Sequence, residues 1–184
     1  PLFSLFFATG MMFGVGGSVL FSVAKGRGDE KAAKEHFTAA LAGAFVMAVF
    51  YEVTCNLFFD PITAVLGRNE AMDALVREYG RILVAGAPVF MTSSFLQAFV
   101  RNDKAPKRAM AAVISGGVLN VVLDYLFIFP MGMGMAGGAI ATVIGSGVTV
   151  AILLSHFLSP HNTLKLTRQF HPKQVFEALG NGLS

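Results

Sequence analysis

The chain has a single cysteine, Cys55, and charged side chains make up only 14% of its 184 residues. One cysteine excludes a disulfide scaffold and a cysteine-based zinc site. The shortage of charge excludes more. A soluble domain carries about 25% charged residues, because most of its residues lie at or near water. This chain has too few to cover a water-facing surface. Disorder is excluded by the same numbers, since disordered chains are rich in charge and poor in apolar residues. Here hydrophobic residues reach 54%, with a mean hydropathy of +0.64. The 20 glycines follow no period of three, which removes a collagen-like chain. What is left is an integral membrane protein.

Crossing the hydrocarbon takes roughly 20 helical residues. Five windows are long enough: Leu2–Ala24, Phe37–Phe59, Ile82–Val100, Ala109–Phe129 and Gly137–Leu158. Only two formally charged side chains, Glu52 and Asp124, fall inside them. Soluble helices interleave their charges at a 3.6-residue period, and these segments do not. The expected fold is an all-α membrane protein, a polytopic bundle of five transmembrane helices. Pro88 inside the third window removes a backbone hydrogen bond and predicts a kink there. Gly10-x-x-x-Gly14, Gly116-Gly117, Gly137-Gly138 and Gly145-x-Gly147 predict close helix approach.

Lys and Arg flank spans mostly on the cytoplasmic side. Lys25, Arg27, Lys31 and Lys34 follow the first window, Arg101, Lys104, Lys107 and Arg108 the third, and Lys165, Arg168 and Lys173 the fifth. Against these 11 stand Arg68, Arg77 and Arg81 on the other side, and Pro130–Ala136 has none. The first span therefore starts outside. Pro1 opens directly into a span with no signal-peptide pattern before it. The chain reads as a piece of a longer polytopic protein, with an odd number of spans before Pro1 if the true N-terminus is cytoplasmic.

The basic excess is divided among loops rather than gathered on one nucleic-acid-reading face, so no nucleic-acid partner is expected. Gly132-Met-Gly-Met-Ala-Gly137 matches G-x-G-x-x-G, but it joins two spans instead of a strand and a helix, and reads as a turn. Arg27-Gly28-Asp29 sits in a cytoplasmic loop. His36, His156, His161 and His171 lack metal-ligand spacing and read as interfacial or solvated. No nucleophile–base set is apparent. The chain is not expected to be an enzyme, and no cofactor is expected.

A carboxylate inside a membrane is expensive and by default marks an ion, proton or substrate pathway. Asp124 lies about 7–8 Å inside the outer end of the fourth window. Asn120 precedes it by four residues, on the same helical face one turn deeper. The fifth window runs back inward, and Thr142 lies about 7–8 Å into it. Carboxylate, amide and hydroxyl can thus converge in the outer half. Together they offer hard oxygen ligands for Na⁺, or a desolvated carboxyl able to take up a proton. A purely structural hydrogen-bonded Asp124 is the alternative. Glu52, about 10 Å from the outer end of its window, could join this cluster or reach toward the outer interface.

At these residues the sequence resembles a known family. Val100–Met110 (VRNDKAPKRAM) resembles the loop between helices four and five of multidrug and toxic compound extrusion (MATE) transporters. Asn120–Phe129 (NVVLDYLFIF) and Gly137–Gly145 (GGAIATVIG) resemble the next two helices. Gly14–Leu20 with Gly26–Glu30 and Ala32 is similar to the second helix and its loop, and Phe59–Gly67 to the end of the third.

The resemblance implies helices two to six of a twelve-helix, two-lobe antiporter. Residues 1–159 would be part of the N-terminal lobe. Residues 160–184 would be the cytoplasmic inter-lobe linker and the start of the next helix. It further implies that Asn120, Asp124 and Thr142 match a cation site, which acts as a metal site only if Na⁺ is the coupling ion. In such members an Asp on helix one completes that site. The function implied is secondary multidrug antiport, exporting amphipathic or cationic compounds in exchange for Na⁺ or H⁺. The partners would be small-molecule drugs, the lipid bilayer and a second lobe of the same polypeptide. The location would be the cell inner (plasma) membrane, multi-pass. A lipid or lipid-linked saccharide flippase is the alternative. Its phosphate-bearing substrates call for Lys or Arg in the lumen, and these windows contain neither.

Overall fold

A computed structural model describes residues 2–67 and 73–183. Pro1, Arg68 and Ser184 lie outside the described residues. Among the described residues eight α-helices follow one another: α1 Leu2–Gly26, α2 Glu30–Leu57, α3 Phe59–Val65, α4 Asp73–Ala85, α5 Ala87–Asn102, α6 Pro106–Ile128, α7 Gly134–Leu154 and α8 Pro172–Leu183. A 3-10 turn, Ser155–Leu158, extends α7. Among the described residues four helices are long and apolar enough to cross a membrane, and α4 with α5, bent by 48° at their junction, are so only as a pair. Each expected window falls on one of these four helices or on the bent pair, with shifted limits.

The shifts have local causes. Helix α2 begins seven residues before the apolar window, because the Asp29 carboxylate accepts the Ala32 N–H at 2.9 Å and caps a polar first turn. It stops at Leu57, and Phe59–Val65 forms the separate short helix α3. The helical stretch that holds the third window includes α4 from Asp73, well before Ile82, and α4 keeps one polar face. Its break falls at Gly86, two residues before Pro88. Proline has no N–H for the Val84 carbonyl and its ring crowds that turn, so the bend lies on the N-terminal side.

Small residues set the packing. A Cβ on Gly10 would sit 2.2 Å from Ser94 Oγ and 2.5 Å from the Met91 carbonyl, so α1 and α5 are in backbone contact. Between α6 and α7, a Cβ on Gly116 would lie 2.5 Å from the Gly145 carbonyl. Helix–helix packing in lipid relies on such close approach, because there is no hydrophobic gain from leaving an equally apolar solvent. One core, around Phe21, Phe37, Phe95 and Phe99, occupies the end near the basic loops. A second, around Phe6, Phe59, Phe90 and Met91, occupies the other. Large apolar side chains remain exposed along α2 and α6, Phe45 and Val121 among them. Apolar side chains on an outer helix face are what a lipid-solvated surface requires.

Residues 160–171 run back along the lobe, where the Thr167 N–H donates to Thr38 Oγ1 at 3.0 Å. Helix α8 then runs antiparallel to α1. Ala178 faces Gly16, and Gly182 faces Met12 closely enough that neither glycine leaves room for a Cβ.

Candidate functional site

Helices α6 and α7 are antiparallel neighbours joined by Phe129–Met133, where Gly132 adopts φ +62°. Just beyond this turn, Gly134 opens α7 at φ +56°. Only glycine takes that conformation without steric penalty, so the turn can be this short. It sets the register that brings two of the expected residues together. Asn120 Nδ2 donates to Thr142 Oγ1 at 3.4 Å, a long contact, and Thr142 Oγ1 donates to the Gly138 carbonyl at 2.9 Å. Gly145 makes the approach possible, since a Cβ there would lie 2.8 Å from that of Asn120.

Asp124 lies one turn further out on the same face of α6, opposite Gly138, where an added Cβ would be 3.7 Å from its Oδ1. Its carboxylate is half-buried and makes no hydrogen bond or ion pair with the described residues. Asn120 and Thr142 also line a cleft of about 200 Å³ with Phe7, Ser93, Gln97 and Ser146. The arrangement is a ladder of oxygen donors leading from an unpaired carboxylate to an amide–hydroxyl contact. No group of three or more His, Cys, Asp or Glu comes together among the described residues. The donors on offer here are hard oxygens, suited to an alkali cation or a proton rather than to zinc or copper.

Glu52 does not join this set. It lies on α2 and lines a different cleft, between α2 and α5, with Pro88 and Thr92. Asn56 Nδ2 donates to its Oε1 at 3.2 Å, while Oε2 is buried without a hydrogen-bond partner.

One network escaped the sequence reading. His156, expected to be interfacial or solvated, is fully buried, whereas His161 and His171 are exposed as expected. The 3-10 turn after α7 rotates His156 inward, where its Nε2 lies 2.7 Å from Asp103 Oδ2. Asp103 is only 3% exposed. The Thr163 N–H donates to Oδ2 at 2.8 Å, and the Thr163 hydroxyl donates to Oδ1. In the sequence Asp103 stands among the charges of the Arg101–Arg108 segment with no spacing that sets it apart. The one available signal was a carboxylate directly after a helix end and before the Pro106 helix start, a place where side chains cap free backbone groups. The network ties the α5–α6 turn to the end of α7 and to the returning segment. Arg108 adds a hydrogen bond from its guanidinium to the Ser155 carbonyl at 2.9 Å. Two of the basic segments are thus tied together at one end of the bundle.

The family model MatE matches residues 1–126. The multidrug export protein MepA of Staphylococcus aureus (strain MRSA252) is 25% identical over 158 residues, covering 86% of this chain and 35% of that protein. MepA of Staphylococcus saprophyticus is 23% identical over 170 residues, 92% of this chain and 38% of that protein. Among solved structures, the inward-facing conformation of a multidrug resistance MATE family transporter of the MOP superfamily superposes with a TM-score of 0.88 at 27% identity. It covers 97% of this chain and 41% of that one. An outward-facing conformation gives 0.86 at 26%, covering 99% and 42%. The chain therefore spans about two fifths of the length of these relatives. The all-helical fold superposes on these structures over nearly its whole length, and the family model covers more than half the sequence: this chain belongs to the MatE family.

Proposed function

We propose that this chain is part of a secondary antiporter that exports amphipathic or cationic compounds across the cell inner (plasma) membrane in exchange for Na⁺ or H⁺. One observation carries the reading. Asp124 is an unpaired carboxylate at membrane depth, adjoining the Asn120–Thr142 contact. An intramembrane carboxylate without a protein partner needs a proton or a cation to offset its charge. Asn120 and Thr142 supply neutral oxygens to complete a shell around Na⁺, while Asp124 alone carries the charge. The named relatives, a multidrug export protein and multidrug resistance transporters, support the export half of the reading.

Coupling requires only that cation binding and drug binding favour different helix arrangements. Cation bound at Asp124 draws α6 and α7 into one arrangement, and drug binding in the neighbouring cleft favours the other. The lobe superposes almost equally on relatives described as inward-facing and outward-facing. That supports a lobe moving largely as one body, with changes confined to sites such as this one. In the full-length protein, residues 160–184 would link this lobe to a second lobe and begin its next helix. Neither the cleft beside Asn120 nor the one beside Glu52 has Lys or Arg in its lining, which favours export of cationic compounds over flipping of phosphate-bearing lipids.

The test is export driven by an imposed Na⁺ or proton gradient, with the amount of protein in the membrane controlled. Asp124→Asn keeps shape and hydrogen-bonding reach but cannot ionise, and gradient-driven export should collapse. Wild-type export by a well-expressed Asp124→Asn protein would remove this residue from the mechanism.

A further inference from the structure

The cleft between α2 and α5 has no part in the coupling set, and its chemistry is of a different kind. It holds about 290 Å³ between walls that are almost wholly apolar, among them Phe45, Val49, Met91 and Phe95. Glu52 is the only charged residue in its lining, and Thr92 the only other polar side chain. Glu52 lies five residues before the end of α2, about 7–8 Å along the helix axis. Its Oε1 accepts from Asn56, but its Oε2 is buried and unpartnered. A buried polar atom in this state calls for a partner outside the protein, and an apolar cleft is a poor place for water to supply one.

We infer that this cleft is a second ligand site, which holds a phosphate-free amphipathic amine with its ammonium on the Glu52 carboxylate, whose side chain turns to bring the enclosed, unpartnered Oε2 into the cleft. The ammonium supplies the missing donor as a charge-assisted hydrogen bond. Its apolar body lies against Phe45, Val49 and Phe95, with the flexible Met91 adapting to its shape. The two phenyl rings also offer negative faces to a cation. A phospholipid is the wrong occupant. Its phosphate sits beside its ammonium, and the lining holds no Lys or Arg to receive that charge. An anionic amphiphile is repelled by the carboxylate, and a neutral alcohol offers Oε2 only an uncharged donor. Where the protein exports such amines, a cleft on the flank of the lobe concentrates them beside it. That use rests on the proposed antiport, whereas binding at the cleft does not.

The experiment is photolabelling of the full-length protein in phosphatidylcholine nanodiscs with a diazirine-bearing octylamine, alongside the alcohol of equal length. The amine should label the segments around Val49 and Met91 saturably and at least about tenfold more efficiently than the alcohol, as loss of a charged hydrogen bond implies. Glu52→Gln should bring amine labelling down to the alcohol level. Glu52→Asp, which keeps the charge on a shorter arm, should retain part of it. Val49→Trp, which fills the cleft and leaves Glu52 in place, should also abolish it, so the result does not hang on one variant. Asp124→Asn should label like wild type even where export has failed, which separates this site from the coupling site. Equal labelling by amine and alcohol, or labelling unchanged in Glu52→Gln, would overturn the inference. Competition by phosphatidylethanolamine would overturn the exclusion of phospholipid.

Discussion

At the scale of single residues, the chain uses its few buried polar groups in three distinct ways. Asp124 is unpaired beside a polar contact, Glu52 is half-paired in an apolar cleft, and Asp103 is saturated by His156 and Thr163. Saturation marks a structural role. Removing the Asp103 carboxylate leaves His156 Nε2 and the Thr163 N–H without their buried partner, so Asp103→Ala should destabilise the protein by about 1–3 kcal/mol for each group left unpaired. Thr163→Val removes only the hydroxyl contact and should cost about 1 kcal/mol. Thermal unfolding in detergent measures both, and equal small effects would contradict the assignment. At the coupling set the order should differ. Asn120→Ala and Thr142→Ala remove neutral ligands and leave the charge, so each should impair gradient-driven export less than Asp124→Asn does. Loss of coupling greater in Thr142→Ala than in Asp124→Asn would place the essential group on α7.

At the scale of elements, glycine positions separate into those that hold helices together and those that do not. Gly10 faces the α5 backbone at distances no Cβ can occupy, whereas Gly117 and Gly147 face open space. Gly10→Ala should therefore destabilise by about 1–3 kcal/mol through overpacking. Gly117→Ala and Gly147→Ala should stay within about 0.5 kcal/mol of wild type or gain slightly from helix propensity. Stability series on the three variants would test the contrast, and a large loss at Gly117 would mean that its face packs against something else. The glycine pattern was visible in the sequence, but the distinction among its members was not. Spacing shows that two glycines share a face, and only the crossing geometry shows which face meets another backbone.

At the scale of the whole molecule, sidedness is the property that places every other claim. The α1–α2 loop, the α5–α6 turn and the segment after α7 lie at one end of the bundle and carry 11 basic residues. A cysteine probe for this end belongs at Lys107, which is exposed and helical, rather than at Lys104, whose φ of +62° would strain a cysteine. In a Cys55→Ala background, Lys107→Cys should resist impermeant thiol reagents in intact cells. Met131→Cys, in the opposite turn, should react. The reverse pattern would invert the molecule and put Asp124 in the inner half.

Most of the fold and part of the site were legible from one-dimensional information. Membrane class and the approximate course of the apolar helices follow from where charge is missing, because lipid penalises each misplaced charge independently of any partner. The facing of Asn120 and Thr142 follows as well, since helical period and a short turn leave an antiparallel pair little freedom. The tertiary structure decided what depends on non-neighbouring helices. It sent Glu52 to α5 rather than to α6 and α7, buried His156 on Asp103, and laid α8 against α1 through Gly16 and Gly182. These outcomes turn on backbone approach of a few tenths of an ångström between segments far apart in the chain, and side-chain spacing along a single helix carries no record of it.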